Sequence, residues 1–163
     1  MVITKTHNME IDSLDPDSSE VQALIAVADA YYIDLYPAES NHLASSEDLK
    51  KPDVILLGCR IDGELVASAA ARILQDDVDY AEIKRLFVLD RYRGKGLSNE
   101  IMRHLETELQ SRGISLFRLE TGIKQPEALG LYRKLGYRER GPFGSYVADP
   151  FSVFMEKQVG WES

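Results

Sequence analysis

Apolar positions recur with two different periods along the chain, and the changes of period divide it into elements. Residues 7–14 (HNMEIDSL) read as a first strand. Ser18 and Ser19 follow as candidate N-caps, with Glu20 and Gln22 close behind. Val21, Leu24, Ile25, Ala28, Tyr31, Tyr32 and Leu35 then recur at helical spacing until Pro37, which lacks the N–H a helix needs. Residues 38–52 are polar and predict a loop with a short helix. DVILLGCRI is a continuous apolar run ending in Asp62-Gly63, a hairpin signal, and ELVASAAARIL is its partner strand. Asp76-Asp77 turns the chain again into DYAEIKRLFVL. After RYRGKG, a helix from about Ser98 to Arg112 sets Leu97, Ile101, Leu105 and Leu109 on one face and closes at Gly113. ISLFRLETG is a further strand. Pro126 opens the last helix, with Ala128, Leu131, Tyr132 and Leu135 inward and Gly136 at its end. YRERG and SVFMEKQV are two closing strands, separated by the excursion GPFGSYVADPF.

Hairpin strands followed by strand–helix–strand units predict an α/β fold. They imply a mixed sheet with helices on both faces. The chain has no repeat, no low-complexity segment and no Pro/Gly/Ser-rich linker, so one domain is expected over residues 1–163. At 163 residues, with 44% hydrophobic and 28% charged, it can bury a sizeable core and does not read as disordered. No apolar run reaches the roughly 20 residues a membrane helix needs, and MVITKTHNMEID lacks the apolar region of a signal peptide. A cytoplasmic protein with no membrane partner is expected. The single Cys59 excludes an internal disulfide, and three scattered histidines (His7, His42, His104) argue against a metal site. Cys59 sits within a buried-strand pattern and reads as core.

Charge is segregated. Residues 1–50 hold ten Asp/Glu and two Lys/Arg, a net −8, whereas residues 51–163 hold seventeen of each. An acidic chain without a basic stripe argues against nucleic-acid binding. Within the neutral part, residues 81–103 carry six basic and three acidic side chains. There a predicted strand runs into Arg91-Tyr92-Arg93-Gly94-Lys95-Gly96 and then a helix. Glycines let the backbone approach an anion, and the first amides and dipole of the helix favour its charge. The pattern is neither a P-loop nor a Rossmann fingerprint. Alone, it fits a basic surface turn as well as an anion site.

A second segment resolves that ambiguity. Gln125-Pro126-Glu127-Ala128, then Tyr132, Gly136 and Tyr137, follow the Arg91–Gly96 turn at a matching distance. Together the two blocks resemble the GNAT superfamily of N-acetyltransferases, sharply over 81–137 and in element order over roughly 54–157. A subgroup resemblance rests on Tyr36-Pro37-Ala38-Glu39-Ser40-Asn41-His42 and on Pro142–Tyr146 with Asp149–Val153. Three positions depart from the general pattern: Asp90 where Pro is common, Ser98 where Gly is common, and Gln125 where Asn is frequent. Ser98 can cap its helix.

The resemblance implies a single GNAT domain with a mostly antiparallel, twisted sheet of about six to seven strands and about four helices. It divides the chain into an acceptor flank (about 1–52), an acetyl-CoA-binding core (about 53–140) and C-terminal strands (about 137–159). Acetyl-CoA is the implied cosubstrate, with no metal, and a primary amine the acceptor. The implied cofactor contacts are Leu86, Phe87, Val88, Arg91, Arg93, Gly94, Lys95, Gly96, Leu97, Ser98 and Gln125. Glu82 is the candidate base, since an alkylammonium of pKa about 10 must lose a proton before attack. Strand parity sets Glu82, Lys84, Leu86 and Val88 on one face. Tyr132 matches the Tyr that faces the CoA sulfur and is the candidate acid. Tyr36, Ser40, His42 and Tyr146 are candidate acceptor contacts. His104 and His7 read as structural or exposed.

Direct transfer to a small molecule in a ternary complex is the expected scheme. A non-catalytic acyl-CoA-binding or regulatory module, and acetylation of a protein N-terminus or lysine, stay open beside it. So does a homodimer, common in the family, to which the C-terminal strands and Trp161 can contribute. The acid of residues 1–50 suggests a flank that draws cationic acceptors by long-range attraction. An acidic helix face that serves solubility explains the same charge.

Overall fold

A computed structural model describes residues 8–76 and 78–161. His7 and Asp77 therefore lie outside the described residues. Seven strands form one sheet in the order β1-β2-β3-β4-β5-β7-β6. They are β1 (Met9–Ser13), β2 (Val54–Ile61), β3 (Glu64–Gln75), β4 (Asp79–Val88), β5 (Leu116–Gly122), β6 (Arg138–Arg140) and β7 (Ser152–Gln158). The helices are α1 (Ser19–Leu35), α2 (Ser46–Leu49), α3 (Leu97–Ser111) and α4 (Pro126–Lys134). Ser18 caps α1 through Val21 N–H, and Tyr36-Pro37 ends it. Asp62 and Gly63 have φ of 49° and 86°, the two positive values a type I′ hairpin turn requires. No described helix is long and apolar enough to cross a membrane.

Helices cover both faces of the sheet. Leu97, Ile101, Met102, Leu105 and Leu109 of α3, with Tyr132 of α4, pack on one side against Ile55, Leu57, Ala69, Ile83 and Leu119. Val21, Leu24 and Ala28 of α1 pack on the other against Leu56, Leu65, Ala70 and Phe87. Cys59 is fully buried on the α3 side. Burial pushes its thiol up to about 11, which keeps it protonated.

Every strand pairing is antiparallel except β4 with β5. β4 pairs with β3 as far as Val88, but with β5 only over Ala81–Ile83. Beyond Ile83 the parallel strands part, and a cleft opens between them. Its β4 wall is irregular. Ser68 faces Phe87 and Ala70 faces Lys84, so Arg85 and Leu86 oppose Ala69 alone, a bulge with Arg85 at φ 57°. The extra residue breaks the expected parity. Glu82 and Lys84 do share the α1 side, but there Phe87 follows them, whereas Leu86 and Val88 turn to the α3 side. A period-2 reading cannot anticipate one inserted residue.

Candidate active site

The cleft widens into a cavity of about 1210 Å³. At one end lies the β4–α3 turn. Gly94 and Gly96 have φ of 75° and 83°, and Gly96 is the N-cap of α3 without any side-chain cap. Ser98 therefore sits inside the first turn instead of capping it. With no side chain bonded to the first α3 amides, they remain available to an anion. Neither glycine has an atom within 4 Å of an added Cβ, so their role is the left-handed backbone and an open approach. Arg93 donates from Nε to the Val88 carbonyl at 3.0 Å and lies over the Tyr31 ring at 4.8 Å.

The expected donor contacts Leu86, Phe87, Val88, Arg93, Gly94, Gly96, Leu97, Ser98 and Gln125 all line this cavity. Arg91 and Lys95 are not among its lining residues. Arg91 instead pairs with Glu64 at the start of β3 and lies over Tyr92. Tyr132 is only 6% exposed and meets Tyr137 edge-on at 5.7 Å. Burial pushes the Tyr132 phenol well above its ordinary range.

At the other end the two subgroup segments meet. Ser40 Oγ donates to Asp149 Oδ2 at 2.8 Å, and the His42 ring meets Tyr146 edge-on at 5.2 Å. Tyr36 also lines the cavity, yet its hydroxyl is spent on the protein. It donates to Gln125 Oε1 at 3.1 Å and accepts from Lys124 N–H at 3.2 Å. Burial pushes that phenol up to about 12. Gly122 makes room for it, since an added Cβ would stand 1.8 Å from the Tyr36 oxygen.

Glu82, 6% exposed, projects among these groups. Tyr146 donates to its Oε2 at 2.5 Å, Lys84 Nζ lies 3.2 Å from the same oxygen, and Lys84 also donates to Tyr146 at 3.2 Å. Burial, then the Glu82 charge, hold the Tyr146 hydroxyl far above the phenol range. Opposite stands Glu120 of β5, accepting from Ser152 Oγ at 2.7 Å. Burial raises its pKa, although Ser152, His42 and Lys84 act the other way. Glu120 forms no ion pair among the described residues.

Sequence reasoning missed Glu120. A signal was present in ISLFRLETG, where Arg118 and Glu120 alternate with buried Phe117 and Leu119. Charge on the second face of an interior strand needs a partner or a cavity: Arg118 pairs with Glu156, and Glu120 lines the cavity. The acid of residues 1–50, by contrast, contributes no carboxylate to the cavity lining. Several of its members are spent in ion pairs, Glu20 with Arg60, Asp29 with Arg85, and Asp17 and Glu47 with Lys50. The carboxylates at this end of the cavity, Glu82 and Glu120, come from β4 and β5.

Arg85, in the bulge, is the other residue missed. An L-residue in the left-handed region costs about 1–2 kcal/mol. Charge-assisted hydrogen bonds to Asp29 and the Ala44 carbonyl offset that cost.

Comparison with known proteins agrees with this geometry. Residues 21–137 match the family model described as acetyltransferase (GNAT) family. A protein of Azospirillum brasilense named IAA acetyltransferase is 42% identical over 152 residues, 93% of this chain and 99% of that protein. A Klebsiella pneumoniae structure assigned as an acyl-CoA N-acyltransferase is 35% identical, with a TM-score of 0.77 over 93% of this chain and 97% of that one. The PaiA N-acetyltransferase of Thermoplasma acidophilum, solved with coenzyme A, shares the fold at 20% identity. Its TM-score is 0.72 over 93% of this chain and 99% of that one. A split sheet, a glycine turn on an uncapped helix and these relatives converge: the chain belongs to the GNAT family of acetyltransferases.

Proposed function

We propose that the chain transfers the acetyl group of acetyl-CoA to the primary amine of a small-molecule acceptor, by direct attack in a ternary complex. One observation carries this. A single cavity joins an open glycine turn on an uncapped helix to the carboxylates of buried Glu82 and partly buried Glu120. Bound acetyl-CoA supplies an acyl group activated on sulfur. Coenzyme A in the structure of the Thermoplasma relative supports that donor. The residues present fit it. Gly94 and Gly96 leave room for a pyrophosphate, with the α3 amides and Arg93 as donors. Backbone N–H groups of Leu86–Val88 polarise the thioester carbonyl. Tyr132 protonates the departing thiolate, and its raised pKa keeps the hydroxyl protonated until the C–S bond breaks.

On the acceptor side a carboxylate takes the ammonium proton so that the nitrogen lone pair can form the new C–N bond. Glu82 is one candidate. A specific observation favours Glu120 as a second: the Glu82 Oε2 is already held by Tyr146 and Lys84, while Glu120 has no ion pair among the described residues and a raised pKa. The flank of about 1–52 borders this end and the core of about 53–140 holds the donor. The name of the Azospirillum relative puts IAA among the acceptors to try.

The test is a CoA-release screen over amino acids, polyamines, aminoglycosides, peptides and IAA, beside calorimetry with acetyl-CoA. Release above the rate in water with one class identifies the acceptor. Tight binding with no release across the panel would identify a non-catalytic acyl-CoA module instead.

A further inference from the structure

Arg85 ties together parts of the molecule that the chain leaves far apart. Its side chain is 5% exposed, and its guanidinium reaches two elements of the N-terminal third. Nη1 donates to Asp29 Oδ1 of α1 at 2.5 Å. Nε and Nη2 both donate to the Ala44 carbonyl, at 2.8 and 2.6 Å, in the loop that also carries His42. On the main-chain side, the Arg85 carbonyl accepts from Ser68 Oγ at 3.4 Å, and the Leu86 carbonyl accepts from the Tyr32 hydroxyl at 3.1 Å. The left-handed φ of 57° directs this one residue's backbone into the bulge and its fork into the loop. The planar guanidinium sets two donors on the Ala44 carbonyl and a third on Asp29 in one rigid fork, a geometry that the compact ammonium of lysine does not reproduce.

We infer that Arg85 is a positioning residue that couples the two ends of the cavity. When the donor orders the Leu86–Val88 backbone, Arg85 holds Ala44, and through it the loop bearing His42, in the geometry that receives the acceptor. By linkage, the acceptor then strengthens donor binding by the same factor. The inference rests on the proposed reading of Leu86–Val88 as donor contacts. It adds a residue whose guanidinium is spent on Asp29 and the Ala44 carbonyl and acts through them.

Hydrogen–deuterium exchange on the full chain, with and without acetyl-CoA, tests the coupling in the parent, Arg85→Gly and Arg85→Lys. Glycine keeps the left-handed backbone without steric cost and removes the fork with its stem. Lysine keeps the charge. In the parent, acetyl-CoA slows exchange at 86–88 and at 41–45. In both variants the slowing at 86–88 remains and that at 41–45 falls severalfold. Undiminished slowing at 41–45 in Arg85→Gly overturns the coupling, as does a parent in which only 86–88 responds. If acetyl-CoA leaves 86–88 of the parent unchanged, the donor reading is what fails. The clamp is then judged without ligand, where 41–45 must exchange severalfold faster in Arg85→Gly; equal rates overturn it.

Discussion

The Ser40 hydroxyl donates to Asp149 Oδ2 at 2.8 Å across 109 positions of sequence. That bond joins the turn after α1 to the excursion between β6 and β7. Around it, Tyr36 meets Phe151 edge-on at 6.4 Å and His42 meets Tyr146. Two segments that stand far apart in the chain form one wall of the cavity.

Loosening that wall acts on the acceptor alone. In Ser40→Ala and Asp149→Asn the acceptor KM rises roughly threefold to tenfold while the acetyl-CoA dissociation constant holds. Steady-state kinetics and calorimetry separate the two, and an equal loss in both would place the bond in the donor site. Its pH dependence has a definite sign. The Phe151 N–H, then the Ser40 hydroxyl, hold Asp149 below the ordinary carboxylate range. The stabilisation is therefore complete above the unfolded value of about 3.9 and is lost as pH falls through the lower folded value.

Glu120 carries the opposite sign. Its folded pKa is raised, chiefly by burial. The penalty of ionising it is absent below the unfolded value of about 4.3 and complete above the folded one. Glu120→Gln accordingly raises the melting temperature at pH 7 and leaves it unchanged near pH 4. The same substitution removes the pH-dependent rise of kcat/KM if Glu120 accepts the proton; if Glu82→Gln removes it instead, Glu82 does.

Tyr132→Phe keeps the ring that packs on Tyr137 and removes only the hydroxyl. Turnover falls by roughly 10²- to 10⁴-fold, the range of a lost general acid, with acetyl-CoA binding held. Equal losses in turnover and binding would assign Tyr132 to packing.

Gly122→Ala tests the close approach of Tyr36. The new Cβ meets the Tyr36 oxygen at 1.8 Å and its ring carbon at 2.1 Å, so strand and ring must separate. Overpacking of this kind costs about 1–3 kcal/mol, or roughly 2–12 °C in melting temperature for a chain of this size. An unchanged melting temperature would mean that Tyr36 swings aside freely.

Much of this was legible in the amino-acid sequence because local rules acted alone. Pro37 and Pro126 mark helix limits by their missing N–H, Asp62-Gly63 supplies the two positive φ angles, and Gly94 and Gly96 mark the left-handed turn into α3. What escaped was set by tertiary contact. The bulge at Arg85 turns Leu86 and Val88 to the other side of the sheet, and nothing in EIKRLFVL announces an extra residue. Glu120 belongs with Glu82 only because two parallel strands that are 36 residues apart at the paired Glu82 and Arg118 run side by side before they part. Tyr36 and Gln125 both reach the cavity as expected, yet they meet each other there, a pairing no spacing rule contains.

Burial of Cys59 has a practical outcome. The chain's single thiol is sealed under α3 and stays protonated at neutral pH. A disulfide reagent added to a working enzyme therefore reacts with liberated coenzyme A and finds no competing sulfur on the protein. The same reagent becomes a clock for global opening, since Cys59 is labelled only when the sheet and α3 come apart. One colorimetric reading can thus count turnovers in the folded molecule and, without substrate, time its unfolding.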